Sequence, residues 1–242
     1  MKKMILLLVV VFTNSFWIEL MSQSEQPVID TTKTLDKLNN IANQDIESIQ
    51  KEIDKIEKLL TVNKSLTLPQ RYGESVVVGD SMVEALSAYA FLPAQNVAGA
   101  IGRRTDNIYD QVEIALSRQP KHMFLCLGLN DVTAYRKNFS TFEMHYQNLI
   151  NYIKQRNPAI QIYLNSMCPL PPETTNVRKE FKYIKDYNKV MQDLCKKNNL
   201  TYIDNTQLIE PVLENFGADG VHPTLEYFRL WIQNMADTAM LE

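Results

Sequence analysis

From residue 71 onward, short apolar runs alternate with longer segments in which apolar residues recur at helical spacing. The apolar runs predicted as strands cover residues 75–78, 96–98, 122–127, 160–167 and 200–203. Helical spacing is found in residues 82–91, 106–117, 142–156, 178–198 and 225–241. Because strands that are apolar throughout must be buried on both faces, the alternation predicts a parallel sheet covered by helices on both sides. The expected fold is a doubly wound α/β domain, in which ligands bind beyond the carboxyl ends of the strands.

The beginning of the chain has a different pattern. Lys2 and Lys3 precede an uninterrupted apolar run over residues 4–12, which is the order of a secretory signal. The run is shorter than the roughly 20 apolar residues of a full membrane span. No small-residue cleavage site follows, and Trp17 is typical of a membrane interface. We predict a signal sequence or N-terminal membrane anchor over residues 1–21, with the rest of the chain exported. The alternative is a buried first helix of a soluble protein.

Residues 22–70 are predicted to form a linker and an amphipathic helical stalk. Within residues 30–65, seven apolar residues can be placed on the a and d positions of a heptad repeat: Leu35, Ala42, Ile46, Ile49, Ile53, Ile56 and Leu60, with Asn39 as the one polar member. Such a stalk could hold the following domain away from a membrane and pair with other copies of the chain. The alternative is a helix packed on its own domain. Residues 71–242 then form the α/β domain.

Composition narrows the class of protein further. The chain has 45% hydrophobic and 22% charged residues, which is ordinary for a globular protein. With 25 Lys and Arg against 28 Asp and Glu, it lacks the basic surplus of nucleic-acid-binding proteins, so no nucleic-acid partner is expected. Its three cysteines form no CxxC pair or Cys/His cluster, so we expect neither a disulfide framework nor a metal site.

Polar residues that could perform catalysis follow the predicted strands. Ser81 follows a strand through Gly79-Asp80 and opens a helix, whose N-terminal N–H groups favour developing negative charge. A serine hydroxyl needs a base, and His222 is the only histidine outside a predicted strand or helix. Asp219, three residues earlier in a glycine-containing turn, is placed to hold the imidazole ring.

Two further strand ends offer hydrogen-bond donors. Asn130 in Gly128-x-Asn130-Asp131 has a side-chain amide, and Gly102 has an unobstructed backbone N–H. These are the donor types of an oxyanion hole. Each signal alone is weak, because Gly-Asp-Ser triplets and Asn-Asp turns are common. Their occurrence together, each at a strand end, favours a nucleophilic active site.

These four motifs resemble the sequence blocks of the SGNH (GDSL-type) hydrolases, over residues 75 to about 241. The resemblance implies a flavodoxin-like, three-layer α/β/α fold. It implies that Ser81 is the nucleophile, His222 the general base and acid, and Asp219 the carboxylate that orients the histidine. It implies no cofactor.

The resemblance also assigns an oxyanion hole and its supporting residues. The donors would be the Ser81 N–H, the Asn130 side chain and the N–H of a glycine in the second block. Gly102 is expected to be that glycine because Ala100 and Ile101 precede it and polar residues follow it, with Gly99 as the alternative. The resemblance gives structural roles to Asp80, Gly128 and Asp131.

The sequence therefore predicts an exported serine esterase that acts through an acyl-enzyme. The expected partner is a small-molecule or glycan ester, with an O-acetyl group on a cell-surface or cell-wall carbohydrate as the leading substrate. Three alternatives remain open: an O-acyltransferase with the same triad, a lipase or lysophospholipase-like enzyme, and a catalytically idle binding module displayed on the stalk.

Three other features have open or surface interpretations. Residues 167–172 follow a strand and are expected to wall the pocket, as a substrate-shaping loop or a rigid connector. Arg103 and Arg104 either meet an anionic substrate group or are solvated. Four lysines at helical spacing are expected to form a solvated helix face: Lys179, Lys182, Lys185 and Lys189.

Overall fold

The computed structural model describes residues 66–241, which belong to one compact unit of the chain. The predicted signal or anchor of residues 1–21 lies outside the described residues, as does the predicted linker and stalk up to residue 65. Among the described helices, none combines the length and apolar character needed to cross a bilayer.

A five-stranded parallel sheet forms the centre of this unit, which confirms the predicted architecture. The strands are β1 (Ser75–Gly79), β2 (Val97–Gly99), β3 (His122–Cys126), β4 (Gln161–Asn165) and β5 (Thr201–Ile203). Their order across the sheet is β2-β1-β3-β4-β5, which is the order of flavodoxin-like doubly wound folds. The carboxyl ends of all five strands therefore meet at one edge.

Eight α-helices connect and flank the strands. They are α1 (Leu68–Arg71), α2 (Ser81–Ala88), α3 (Tyr109–Ser117), α4 (Leu129–Tyr135), α5 (Phe139–Arg156), α6 (Pro172–Val177), α7 (Ile184–Asn198) and α8 (Leu225–Thr238). Short 3₁₀ helices cover Ala94–Asn96, Lys179–Tyr183 and Leu213–Asn215. The segment predicted as one helix over residues 178–198 is thus a 3₁₀ turn followed by α7. The sequence pattern does not predict α4 or α6, because six or seven residues are too few for the apolar positions to show a helical period.

Strand β4 is shorter than the apolar run that predicted it. The run continues to residue 167, but the strand ends at Asn165. Beyond it, the buried side chain of Asn188 accepts a hydrogen bond from the Met167 N–H at 3.0 Å and donates one to the Met167 carbonyl at 2.9 Å. The Ser166 N–H still donates to the Ile203 carbonyl of β5 at 2.9 Å, whereas the backbone of Met167 is satisfied by a helix side chain.

Burial of consecutive strand residues shows that helices cover both faces of the sheet. Val76, Val77 and Val78 are all buried, as are Met123 and Phe124. Because successive strand side chains point to opposite faces, each face must be covered. Full burial of one such side chain stabilises the fold by about 1.5–3 kcal/mol.

The first and last described helices are held together. Arg71 Nε donates to the Leu241 carbonyl at 2.8 Å, and its Nη1 contacts Asp237 Oδ1 at 2.9 Å. The buried Tyr72 hydroxyl donates to the Ile232 carbonyl at 2.6 Å. Residues 71–72 are therefore integral to the α/β unit.

Candidate active site

Ser81 lies at the junction of β1 and α2, at the carboxyl edge of the sheet. A Cβ atom on Gly79 would lie 2.2 Å from the Cys126 carbonyl oxygen, so the turn requires glycine there. Asp80 caps the helix, since its Oδ1 accepts a hydrogen bond from the Met82 N–H at 3.0 Å. The sequence Gly-Asp-Ser thus places the Ser81 hydroxyl at a helix N-terminus.

The loop before α8 holds His222 in a defined orientation. Asp219 Oδ1 accepts hydrogen bonds from the N–H groups of Val221 at 2.9 Å and of His222 at 3.0 Å. Gly220 has a φ of +64°, and a Cβ atom there would lie 2.2 Å from Thr174 Oγ1. The Thr174 hydroxyl donates a hydrogen bond to the Gly220 carbonyl at 2.9 Å, so α6 stabilises the loop that contains His222.

The two segments bring Ser81, His222 and Asp219 into one hydrogen-bonded chain. Ser81 Oγ lies 3.1 Å from His222 Nε2, and His222 Nδ1 lies 2.6 Å from Asp219 Oδ2. The side chains of His222 and Asp219 are 48% and 53% exposed, so the site is open to solvent. The arrangement can move the serine proton to Nε2 while the carboxylate holds the other ring nitrogen.

The hydrogen bonds to Asp219 keep it ionised. Partial burial raises its pKa, but the His222 ring and the N–H groups of Val221 and His222 outweigh that effect and lower the pKa to about 2. A carboxylate that is ionised at neutral pH can stabilise an imidazolium ring beside it.

Asn130 connects the turns that follow three strands. It lies in α4, after Gly128, whose φ of +139° suits glycine. Its side-chain amide donates to Asp80 Oδ2 at 3.1 Å and to the Arg103 carbonyl at 3.1 Å. Donation to a third oxygen would require the amide to give up one of these contacts.

The two candidate glycines of the second block have different surroundings. A Cβ atom on Gly99 would lie 2.6 Å from the Glu84 backbone nitrogen and 2.9 Å from a Val83 methyl group, so Gly99 is required for packing of α2 against β2. Gly102 is exposed, has a φ of +74°, and would meet nothing within 4 Å. Close packing therefore requires glycine at position 99, and the left-handed backbone conformation favours glycine at position 102.

Two buried carboxylates lie near the candidate catalytic residues. Asp80 is 3% exposed, and burial, partly offset by the Met82 N–H bond, raises its pKa to about 7. Asp131 is fully buried, and its Oδ1 accepts hydrogen bonds from the Thr105 N–H at 3.0 Å and hydroxyl at 2.5 Å. Burial raises the pKa of Asp131 to about 6.

A small cavity of about 50 Å³ lies beside the Ser81–His222 pair. Its walls include the chain neighbours of Ser81 and His222: Asp80, Met82, Val221 and Pro223. Met167, Cys168 and Leu170 also border it, so the segment after β4 does wall a pocket. Sequence reasoning missed the wall formed by Asn165, Tyr227 and Trp231, because nothing in the local pattern of β4 or α8 distinguishes these positions from the core.

The arginines after Gly102 pair with neighbouring carboxylates. Arg103 Nη2 contacts Asp110 Oδ2 at 2.6 Å, and Arg104 Nε contacts Asp106 Oδ1 at 3.1 Å. Over residues 66–241, no group of three or more His, Cys, Asp and Glu side chains is placed to hold a metal ion.

Comparison with known proteins identifies relatives of this fold and sequence. A model of the GDSL-like lipase/acylhydrolase family matches residues 72–230. A GDSL-like lipase from Bacteroides thetaiotaomicron is 18% identical, with a TM-score of 0.56 over 76% of this chain and 96% of that one. A mutant acetyl esterase with an acetate ion is 13% identical, with a TM-score of 0.53 over 69% of this chain and 95% of that one.

An acetyl xylan esterase is 21% identical, with a TM-score of 0.51 over 67% of this chain and 98% of that one. At these identities the likenesses to solved structures show a shared fold. No curated protein matches the chain.

Proposed function

Because the chain belongs to the GDSL-like lipase/acylhydrolase family, it is a hydrolase of ester bonds, and we propose that it is a serine esterase with Ser81, His222 and Asp219 as its catalytic triad. The observation that carries this proposal is the chain of hydrogen bonds from Ser81 Oγ through the His222 ring to Asp219.

In this mechanism Ser81 Oγ attacks the acyl carbonyl carbon while His222 Nε2 takes the hydroxyl proton. The tetrahedral intermediate collapses as the imidazolium returns that proton to the leaving alcohol. The acyl group then remains on Ser81. A water molecule, deprotonated by His222, attacks the acyl-enzyme and releases the carboxylic acid. Ionised Asp219 holds Nδ1–H throughout and stabilises the imidazolium.

Negative charge on the carbonyl oxygen would be stabilised by three donors. They are the N–H groups of Ser81 and Gly102 and the side-chain amide of Asn130. The amide would exchange the Arg103 carbonyl for the oxyanion and keep its contact with Asp80. One such donor is typically worth a factor of about 10²–10³ in kcat.

The size of the cavity beside the triad favours a short acyl group. A volume of about 50 Å³ with apolar walls such as Met82, Leu129 and Met167 suits an acetyl group better than a long chain. The neighbours named acetyl esterase and acetyl xylan esterase support the same interpretation. We therefore propose O-acetyl groups on carbohydrate as the substrate.

The chain-length preference of the full-length protein tests this proposal. Hydrolysis of p-nitrophenyl acetate, butyrate and octanoate should give a kcat/KM that falls with each extension. An octanoate preference would favour the lipase-like alternative. Adding an acceptor sugar and analysing the products separates hydrolysis from acyl transfer, because transfer would place the acetyl group on the sugar.

We also propose that the protein acts outside the cell membrane, with residues 1–21 as its export signal or membrane anchor and the following stalk holding the α/β domain away from the membrane. The basic pair Lys2 and Lys3 ahead of an apolar run supports this location. Fractionation of cells that produce the chain tests it, since the esterase activity should accompany the envelope or the medium. Activity confined to the cytoplasm would contradict it.

A further inference from the structure

A second and larger concavity lies next to the small cavity beside Ser81, which we call the acyl cavity. Its volume is about 520 Å³. We call this concavity the lysine groove; its lining includes Leu170, Thr175, Lys182, Lys185, Lys189 and Tyr202. One wall comes from the segment after β4 and from α6, and the opposite wall from the 3₁₀ turn and α7.

The lysine groove adjoins the cavity beside the candidate active site. Leu170 borders both the groove and the acyl cavity. On the same wall, Thr175 follows Thr174, whose hydroxyl donates to the Gly220 carbonyl in the loop that carries His222. A polymer with an acyl group at Ser81 can therefore extend along the groove.

The charge of the groove is concentrated and partly uncompensated. Lys182 and Lys185 form no ion pair with any residue between 66 and 241, and Lys189 pairs with Asp193. The acidic residue of the lining, Asp204, accepts hydrogen bonds from the Thr206 N–H at 2.9 Å and hydroxyl at 2.7 Å.

The wider segment has the same excess of positive charge. Residues 178–197 contain seven Lys or Arg and three Asp or Glu, a formal charge of +4, in a chain whose net charge is −3. By contrast, Arg103 and Arg104 near the triad are neutralised by Asp110 and Asp106. Of the three groove lysines and these two arginines, Lys182 and Lys185 are the two without a carboxylate partner among residues 66–241.

We propose that the lysine groove binds anionic groups, carboxylates or phosphates, of an acidic polysaccharide whose O-acyl ester is cleaved at Ser81. The identification of the ligand as substrate rests on the proposed esterase function. Ammonium groups attract either anion as point charges. The unpaired Lys182 and Lys185, with Lys189 beside them in its pair with Asp193, match a polymer with repeated charges. Of the four lysines predicted to form a solvated helix face, three line the proposed binding groove, and Lys179 does not.

Equilibrium binding of labelled polymers to the full-length protein tests the groove without relying on catalysis. The probes are polygalacturonate for carboxylates, polyphosphate for phosphates, and unsubstituted xylan as the neutral polymer. The groove variant combines Lys182→Gln, Lys185→Gln and Lys189→Gln. The matched control combines Lys179→Gln, Lys196→Gln and Lys197→Gln, which removes the same charge from the same segment outside the groove lining.

The groove variant should raise the Kd for at least one anionic polymer by about tenfold or more, and the control by less than about twofold. Comparison of the Kd values for polygalacturonate and polyphosphate shows whether the groove prefers carboxylates or phosphates. Equal weakening in both variants would mean a general attraction to positive charge and would overturn the proposal. Equal wild-type affinity for xylan, or no weakening in the groove variant, would also overturn it.

A kinetic comparison then connects the groove to the ester substrate. The decrease in kcat/KM caused by the groove variant should be about tenfold larger on acetylated polygalacturonate than on acetylated xylan. The difference should come from a higher KM on the acidic polymer. If the wild-type protein hydrolyses neither p-nitrophenyl acetate nor these polymers, the esterase proposal fails while the binding result still decides the groove.

Discussion

Asp219 and Asp80 lie on either side of the Ser81–His222 pair and have opposite environments. Asp219 is 53% exposed and accepts three hydrogen bonds within its own loop, which hold its pKa near 2. Asp80 is 3% exposed, and burial raises its pKa to about 7. Two carboxylates close to the same hydroxyl therefore differ by about five pH units in where they titrate.

The difference shows that distance from the nucleophile does not define the role of a carboxylate. Asp219 is charged across the neutral range and contacts the ring nitrogen that must carry a proton in the reaction. Asp80 contacts the Met82 N–H and the Asn130 amide, so it fixes the turns around the nucleophile. Hydrogen bonding and solvent access therefore agree with the proposed catalytic role of Asp219 and the proposed supporting role of Asp80.

The largest effect should come from Asp219→Asn. An amide N–H facing His222 Nδ1 would favour the wrong ring tautomer, so kcat on p-nitrophenyl acetate should fall by about 10²–10⁴-fold with the fold intact. The backbone contacts of Oδ1 can remain. A loss smaller than tenfold would mean that Asp219 does not act through the histidine.

Asp80→Asn should have a smaller effect. Whichever way the new amide turns, a donor faces either the Met82 N–H or the Asn130 amide, so one hydrogen bond is lost. The poorer orientation of Asn130 should lower kcat about tenfold at pH 8, where Asp80 is ionised in the wild type. If this variant lost as much activity as Asp219→Asn, the contrast between the two carboxylates would be wrong.

The sequence contained signals for the strands and for the candidate triad because each signal lies within a short segment. Continuous apolar runs ending at Gly79 and Gly128 indicate buried strands, and Asp219 and His222 are three residues apart in one turn. The block-two glycine remains a prediction from the resemblance. The packing of Gly99 under α2 accounts for that residue without a catalytic role.

What the sequence could not show depends on contacts between distant segments. Thr174 supports the catalytic loop through Gly220, 46 residues away. The lysines on one face of α7 become groove residues only because the segment after β4 packs opposite them. The carbonyl partner of Asn130 belongs to the turn after β2. None of these pairings has a periodic or compositional signature.

The smallest effect should be a pH-dependent change in stability on Asp131→Asn. The pKa of Asp131 is about 6 in the folded state and about 4 in an unfolded chain. Between these values the folded state binds more protons, so wild-type stability falls as pH rises, and the cost of the buried charge is complete above pH 6. Asparagine keeps the acceptor for Thr105 and does not titrate.

The free energy of unfolding of Asp131→Asn, relative to wild type, should therefore rise by about 1–3 kcal/mol between pH 4 and pH 8. Urea titrations of both proteins at the two pH values measure it. The Asp131 charge also raises the pKa of Asp80, so its removal lowers that pKa and changes the relative stability in the same direction. A relative stability that is constant or falls with pH would show that Asp131 is not a buried, strained carboxylate.

The formation of an acyl-enzyme on Ser81 is tested most directly by mutation of that residue. Hydrolysis of p-nitrophenyl acetate should be measured with the full-length protein and with its Ser81→Ala variant. A reactive phosphonate ester should be added in parallel, followed by peptide mass spectrometry. We expect activity in the wild type only, and one phosphonate adduct on the peptide that contains Ser81. Hydrolysis that survives in the variant, or an adduct on another residue, would contradict the mechanism.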